Sequence, residues 1–112
     1  MDYHAHAESI RTQFLETGKL LSAIGDSTRQ RIIMVLAKSD CSGMRVGEIA
    51  AQTHLSRPAI SHHLKILRDE EVIGFSSEGT KNFYFLKLEG KWQTLVRLIN
   101  QIEQLRTGKE TP

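Results

Sequence analysis

The chain has few of the residues that cross-link or interrupt a protein. It has one cysteine, Cys41, and two prolines in 112 residues. A single cysteine excludes a disulfide within the chain, and this is typical of a protein in the reducing cytoplasm. With so little proline and no low-complexity tract, the sequence gives no sign of an internal linker.

Long apolar segments are also missing. The longest apolar run, residues 32–37, is far shorter than the roughly 20 residues that cross a bilayer. The start of the chain lacks the positive charge and the apolar stretch of a secretory signal. We therefore expect a cytoplasmic protein with no membrane partner.

The length predicts a single domain, 1–112, that can bury a core without disulfides or metal ions. Residues 1–7 and 107–112 are expected to be flexible ends. Lys and Arg exceed Asp and Glu by 15 − 13, or +2, but the charge is unevenly spread. Counted as basic minus acidic residues, residues 27–47 sum to 4 − 1 and residues 48–68 to 3 − 1, whereas residues 69–80 sum to 0 − 4. The basic stretches make a polyanionic partner worth testing.

Apolar periodicity and capping residues predict four helices before residue 71. The first covers residues 8–24, and Asp26 is a candidate N-cap for a second helix over residues 27–38. Because the second helix contains the apolar run, we expect it to be the buried centre of the fold. A short helix follows at residues 46–52. Ser56 is a second candidate N-cap, with Pro58 in the first turn of a helix that ends near Glu70.

The spacing of apolar residues changes after this helix. Residues 72–76 and 81–88 are rich in aromatic and branched residues, and a turn at residues 77–80 separates them, which predicts a β-hairpin. A last helix of about four turns begins at Trp92. The predicted fold class is mainly α with a small β-hairpin, in the order α-α-α-α-β-β-α.

The third and fourth predicted helices are joined by a tight turn, which is the pattern of a helix-turn-helix. On a helical wheel of the fourth helix, Ile60, Leu64 and Leu67 lie on one side and predict its contact with the core. Another side carries Arg, Lys, Ser and His and has no acidic residue until Asp69. Such a face supplies positive charge for phosphates and donors for base edges in the major groove.

We therefore predict that this helix and the following hairpin bind DNA. Lys81 and Asn82 lie near the flexible Gly79 at the hairpin tip, as in a wing that touches the DNA backbone or minor groove. Arg57 is expected to favour a specific sequence and Lys81 to contact any sequence. The predicted DNA-binding residues are Ser56, Arg57, Pro58, Ser61, His62, Lys65, Arg68, Lys81 and Asn82. The alternative is an ordinary solvated helix face.

Three motifs resemble one protein family. Residues 55–67, LSRPAISHHLKIL, closely resemble the recognition helix of the ArsR/SmtB family of bacterial winged helix-turn-helix repressors. Residues 20–29, LLSAIGDSTR, resemble the family's opening signature, and residues 78–86 resemble its wing. The resemblance extends over about residues 8–106. It implies a winged helix-turn-helix repressor that forms a homodimer through its first and last helices and binds double-stranded DNA at a palindromic operator.

The apolar pattern of the last helix supports a dimer independently. Its apolar surface is wider than one side of a terminal helix needs, and apolar residues of the first helix could meet it across a two-fold axis. The predicted interface residues are Ile10, Phe14, Trp92, Leu95, Val96, Ile99 and Ile102. The alternative is that the last helix packs only on its own core.

Metal sensing is a property of many members of this family, but the residues that serve it are missing here. Residues 45–50 lack paired cysteines, and the last helix offers only Glu103 as a ligand. We expect no cofactor and no metal site of the usual kind, and the effector stays unknown. A metal- or thiol-responsive repressor is an alternative, because His4 and His6 are spaced like a ligand pair and Cys41 is a candidate reactive thiol.

Patterns typical of catalysis are absent from the sequence. It has no Ser-His-Asp order, no paired carboxylates in an apolar setting, no phosphate-binding glycine loop and no metal triad. We therefore expect a DNA-binding transcriptional regulator rather than an enzyme. A winged-helix module for protein contacts is a further alternative, and steep salt dependence would distinguish DNA binding from it.

Overall fold

Five helices and one hairpin follow one another in the predicted order within the described part of the chain. The computed structural model describes residues 2–40 and 42–108. The predicted fold class, mainly α with a small hairpin, is confirmed. The elements are α1 (Tyr3–Ile24), α2 (Ser27–Lys38), α3 (Val46–Thr53), α4 (Arg57–Asp69), β1 (Ile73–Glu78), β2 (Lys81–Leu86) and α5 (Trp92–Thr107).

The first helix starts earlier than apolar periodicity predicts. It begins at Tyr3 rather than at residue 8, because the Asp2 carboxylate accepts hydrogen bonds from the backbone N–H groups of His4 and Ala5 at 3.0 and 3.3 Å. Residues 3–7, predicted to belong to a flexible end, form the first turns of α1. At the other end, α5 continues through residue 107, and residues 109–112 lie outside the described residues.

Side-chain caps set the starts of α2 and α4. The Asp26 carboxylate accepts a hydrogen bond from the backbone N–H of Arg29 at 2.9 Å. The Ser56 hydroxyl accepts one from the backbone N–H of Ala59 at 3.3 Å. Both predicted caps are therefore confirmed, and each typically stabilises its helix by about 1 kcal/mol.

The hairpin is antiparallel, with Glu78 opposite Lys81 at its tip. Its turn is shorter than predicted, because pairing continues to residues 78 and 81 and leaves only residues 79–80 unpaired. Gly79 has a φ of +62°, in the left-handed region that glycine adopts without strain. The observed β1 extends two residues beyond its predicted end, and β2 stops two residues before its predicted end.

A third backbone segment is joined to the hairpin. Met44, just before α3, exchanges two hydrogen bonds with Tyr84 of β2, each with an N···O distance of 2.7 Å. Gly43 permits this approach, since its φ is +88° and a Cβ there would lie 2.7 Å from the carbonyl oxygen of Tyr84. The hairpin is therefore fixed to the segment that leads into α3.

The core lies between α2, α3, α4 and the hairpin. Ile60, Leu64 and Leu67 form the buried face of α4, as the helical wheel predicts. Burial of such a side chain stabilises the fold by about 1.5–3 kcal/mol. The apolar run of α2 is not buried as a whole, because the helix turns Met34 outward with 56% exposure. This helix therefore contributes one face to the core rather than its full circumference.

The first and last helices pack mainly on each other and lengthen the molecule. The chain measures 54 × 23 × 20 Å and has a radius of gyration of 17.2 Å. A compact domain of this length has a radius of gyration of about 13 Å. Although α1 has 22 residues, neither it nor any other helix of the described residues is long and apolar enough to cross a membrane.

Candidate nucleic-acid interface

The helix-turn-helix consists of α3, a short turn and α4. His54 ends α3 in the left-handed conformation with a φ of 58°, and Pro58 lies in the first turn of α4, where its missing N–H costs no hydrogen bond. The predicted DNA-binding residues of this segment are all exposed: Ser56, Arg57, Pro58, Ser61, His62, Lys65 and Arg68. The structure thus brings them to one accessible face opposite the buried stripe of α4.

Two cations on this face already have partners within the chain. Lys65 Nζ lies 3.0 Å from Asp69 Oδ2, and both side chains are largely exposed. The guanidinium carbon of Arg68 lies 3.7 Å from the centre of the Phe75 ring, in β1. The first contact is an exposed ion pair of little energy. The second connects α4 to the hairpin, which we call the wing.

The acidic stretch that follows α4 is paired with nearby lysines. Glu70 Oε1 lies 3.3 Å from Lys91 Nζ, and Glu71 Oε1 lies 3.3 Å from Lys87 Nζ. Both lysines come from the segment after the wing. The pairs reduce the negative charge that a DNA backbone would meet beside α4.

The wing presents both residues that the sequence predicts there. Lys81 and Asn82 are exposed at the start of β2. The Ser77 hydroxyl donates a hydrogen bond to Asn82 Oδ1 at 2.6 Å, which directs the donor end of the amide away from Ser77. Glu78 is exposed at the same tip, so Lys81 and Asn82 are better placed than the apex to meet an anion.

A cleft of about 450 Å³ joins these elements. It lies between the start of α3, the start of α4 and the wing, and its lining includes Arg45, Gly47, Glu48, Arg57, Lys81 and Asn82. Arg57 and Lys81, predicted separately from two motifs, therefore face one space. Sequence reasoning missed Arg45, because no helical face of α3 includes it. The one available signal was its place as a cation just before the first helix of the helix-turn-helix.

A polar cluster anchors α4 to the start of α2. The Arg29 guanidinium donates to the carbonyl oxygens of Ala23 and Ser22 at 2.7 and 3.2 Å, and its Nη1 lies 3.3 Å from His63 Nδ1. Burial lowers the pKa of His63, while the Asp26 carboxylate opposes this shift. His63 is therefore half-buried in a contact with α2, whereas its neighbour His62 is exposed.

The residues weighed for sensing are not gathered into a site. Within residues 2–40 and 42–108, no three His, Asp or Glu side chains are placed to hold a metal ion. His4 is exposed at the start of α1, and His6 Nε2 lies 2.9 Å from the carbonyl oxygen of Gln101 in α5. The prediction of a reactive thiol at Cys41 lies outside the described residues.

The predicted dimer residues differ in exposure. Phe14 of α1 is about half exposed, and so are Val96, Ile99 and Ile102 of α5, with exposed fractions between 41% and 55%. Ile10 is half-buried. Trp92 and Leu95 pack against the core of their own chain, and Trp92 Nε1 donates to the carbonyl oxygen of Lys87 at 3.0 Å. The open apolar surface is therefore narrower than predicted, while the interface itself stays a prediction.

Comparison with known proteins identifies the family. Residues 26–73, which hold α2, α3 and α4, match the model of the bacterial regulatory protein arsR family. The chain is 40% identical over 67 residues to the transcriptional repressor SdpR of Bacillus subtilis, covering 60% of this chain and 71% of that protein. The chain belongs to the arsR family. The predicted family is confirmed, as is a role as a DNA-binding transcriptional regulator rather than an enzyme.

Solved structures share the architecture of this arsR-family chain. Reduced HlyU from Vibrio cholerae has a TM-score of 0.65 and 23% identity, covering 85% of this chain and 96% of that one. The transcriptional repressor BigR from Xylella fastidiosa has a TM-score of 0.65 and 23% identity, and the match covers 94% of this chain and 99% of that one. The likeness concerns the fold, and it confirms the winged helix-turn-helix.

Proposed function

We propose that this arsR-family chain is a repressor that binds a palindromic DNA operator as a homodimer in the cytoplasm. The observation that carries the proposal is the exposed basic surface that α4, the residue before α3 and the wing form together. Its charge and hydrogen-bond donors suit a DNA groove and the adjacent backbone. The similarity to SdpR, itself a transcriptional repressor, supports repression rather than activation.

The homodimer is proposed from shape and apolar exposure. Apolar side chains are exposed on α1 and α5, the two helices that lengthen the molecule. They are Phe14, Val96, Ile99 and Ile102. A two-fold axis along this pair would bury that surface twice with the same residues. It would also set the two recognition helices about 34 Å apart, one turn of DNA, which is why we propose a palindromic operator.

The inducing signal is proposed to be something other than a metal held by paired cysteines. The chain has a single cysteine, and within the described residues no His, Asp and Glu cluster offers a substitute site. The His4 and His6 pair and Cys41 stay candidates for a different kind of response. Release of bound DNA by zinc, another metal, an oxidant or a chelator would identify which signal acts.

Selection of bound duplexes from a random pool tests the function. The wild-type chain should enrich an inverted repeat, and its affinity for that operator should fall steeply between about 50 and 200 mM salt. Sedimentation should give twice the chain mass of 12.7 kDa. Failure to enrich any sequence, together with salt-independent behaviour, would instead favour a winged-helix module for protein contacts.

A further inference from the structure

The cleft between α3, α4 and the wing holds positive charge that no other described residue pairs. Arg45, Arg57 and Lys81 line this cleft, and none of them forms an ion pair with any described residue. The acidic side chain in the lining is Glu48, whose Oε1 accepts a hydrogen bond from the backbone N–H of Arg45 at 3.1 Å. The described lining therefore has three basic side chains and one acidic side chain, a formal charge of 3 − 1, or +2. This charge attracts an anion from outside the chain.

The start of α3 also supports the Arg57 side chain. A Cβ on Gly47 would lie 2.8 Å from Arg57 Nη2 and 3.4 Å from the guanidinium carbon. The guanidinium therefore rests against the backbone of α3, at a distance that only glycine allows without displacement. In this position it faces the cleft shared with Arg45 and Lys81 instead of extending freely from α4.

We propose that the cleft is a phosphate clamp, in which Arg45, Arg57 and Lys81 bind the DNA backbone and Gly47 is the positioning residue of Arg57. The clamp rests on the proposed function, because it names the part of the DNA that this site binds. A guanidinium donates two parallel hydrogen bonds to a phosphate, and a lysine supplies a mobile positive charge. Arg57 then contributes to affinity for every sequence, in contrast to the specific role predicted for it from its place in α4.

Salt titrations of Arg45→Ala and Arg57→Ala test the clamp. Each variant should lose affinity by the same factor for the selected operator and for a duplex of scrambled sequence. The slope of log affinity against log salt should become shallower by about 1.8, because each protomer of the proposed homodimer loses one phosphate contact of about 0.9. Arg11→Ala is the matched control, because it removes an exposed cation from α1, an element that contributes nothing to the cleft. A loss confined to the operator, with an unchanged slope, would overturn the clamp.

Neutral methylphosphonates, placed one at a time in the selected operator, locate the clamped phosphate. At that phosphate the substitution should weaken binding of the wild-type chain and have no further effect on Arg57→Ala. The Arg45→Ala variant should be insensitive to the same or an adjacent position. If every position weakens the wild type and both variants equally, neither arginine contacts a phosphate and the proposal fails.

Gly47→Ala separates positioning from charge. The added Cβ displaces Arg57 but removes no cation, while alanine is a better helix former than glycine. We expect an unchanged or higher Tm together with about 2- to 10-fold weaker binding to both duplexes, the usual range for ordering one flexible side chain. Unchanged affinity would refute the positioning role. Absence of DNA binding by the wild type would refute the proposed function, whereas normal wild-type binding with unaffected arginine variants would refute the clamp alone.

Discussion

Arg68 is expected to influence DNA binding by holding the wing against α4. Its guanidinium carbon lies 3.7 Å from the centre of the Phe75 ring, and that ring stacks on Tyr84 with centres 6.0 Å apart. Phe75 is 40% exposed. A cation–π contact at such an exposed position stabilises by about 0.5–1 kcal/mol. A double-mutant cycle of Arg68→Gln and Phe75→Leu should therefore give a coupling of this size in the free energy of unfolding.

Urea unfolding of the four proteins measures that coupling, with protein concentration held fixed because association adds to apparent stability. DNA affinity of the same four proteins then separates two roles of Arg68. If it acts through the wing, Arg68→Gln should weaken binding less in the Phe75→Leu background than in the wild type. A coupling within about 0.3 kcal/mol of zero would refute the contact. Additive losses of DNA affinity would instead favour the direct contact predicted from the sequence.

Three further outcomes are expected. Lys81→Ala should weaken binding to operator and scrambled duplexes by the same factor, and a loss on one sequence alone would contradict its phosphate role. Ile99 is 55% exposed on α5, so Ile99→Glu should sediment as a monomer with unchanged helix content; a persisting dimer would place the interface elsewhere. Burial lowers the pKa of His63, so its folded state binds a proton less readily than the unfolded chain does. The stability that neutral His63 contributes should therefore be lost as the pH falls from about 6.5, the pKa in the unfolded chain, through the lower pKa of the folded protein. His63→Gln should make the free energy of unfolding depend less on pH over this range. An identical pH profile in the variant would exclude His63 as the cause. The hydrogen bond from the backbone N–H of Arg29 lowers the pKa of Asp26. Protonation of Asp26, which would weaken this cap, therefore occurs only below about pH 3.8, outside the range in which His63 titrates.

The elements could be predicted wherever their causes are local. Asp26 and Ser56 cap N–H groups three residues ahead, and the buried face of α4 repeats with the helical period. The start of α1 is an exception, because its cause is also local but is a cap rather than an apolar repeat. Residues 3–7 contribute little to the apolar stripe, so periodicity overlooks a helical turn that Asp2 stabilises by capping.

The site could be predicted only in part, because its cleft depends on contacts far apart in the sequence. Arg57 and Lys81 stand out in their own motifs. Arg45 meets them because the Met44–Tyr84 bridge brings the start of α3 to the wing, and no local pattern records that pairing. A helical wheel likewise could not separate the part of α5 that packs on its own core from the part left open.

The two hydrogen bonds of the Met44–Tyr84 bridge join the start of α3 to the wing. Together α3, α4 and the wing therefore form a closed loop of chain, which we call the ring. Neither α1 nor α5 belongs to the ring. In the proposed dimer, the ring decides which groups of the DNA are met, whereas α1 and α5 decide the distance and angle between two rings. Substitutions in the apolar contact between the outer helices of the two protomers would therefore change the spacing of half-sites and leave the sequence bound within each half-site unchanged.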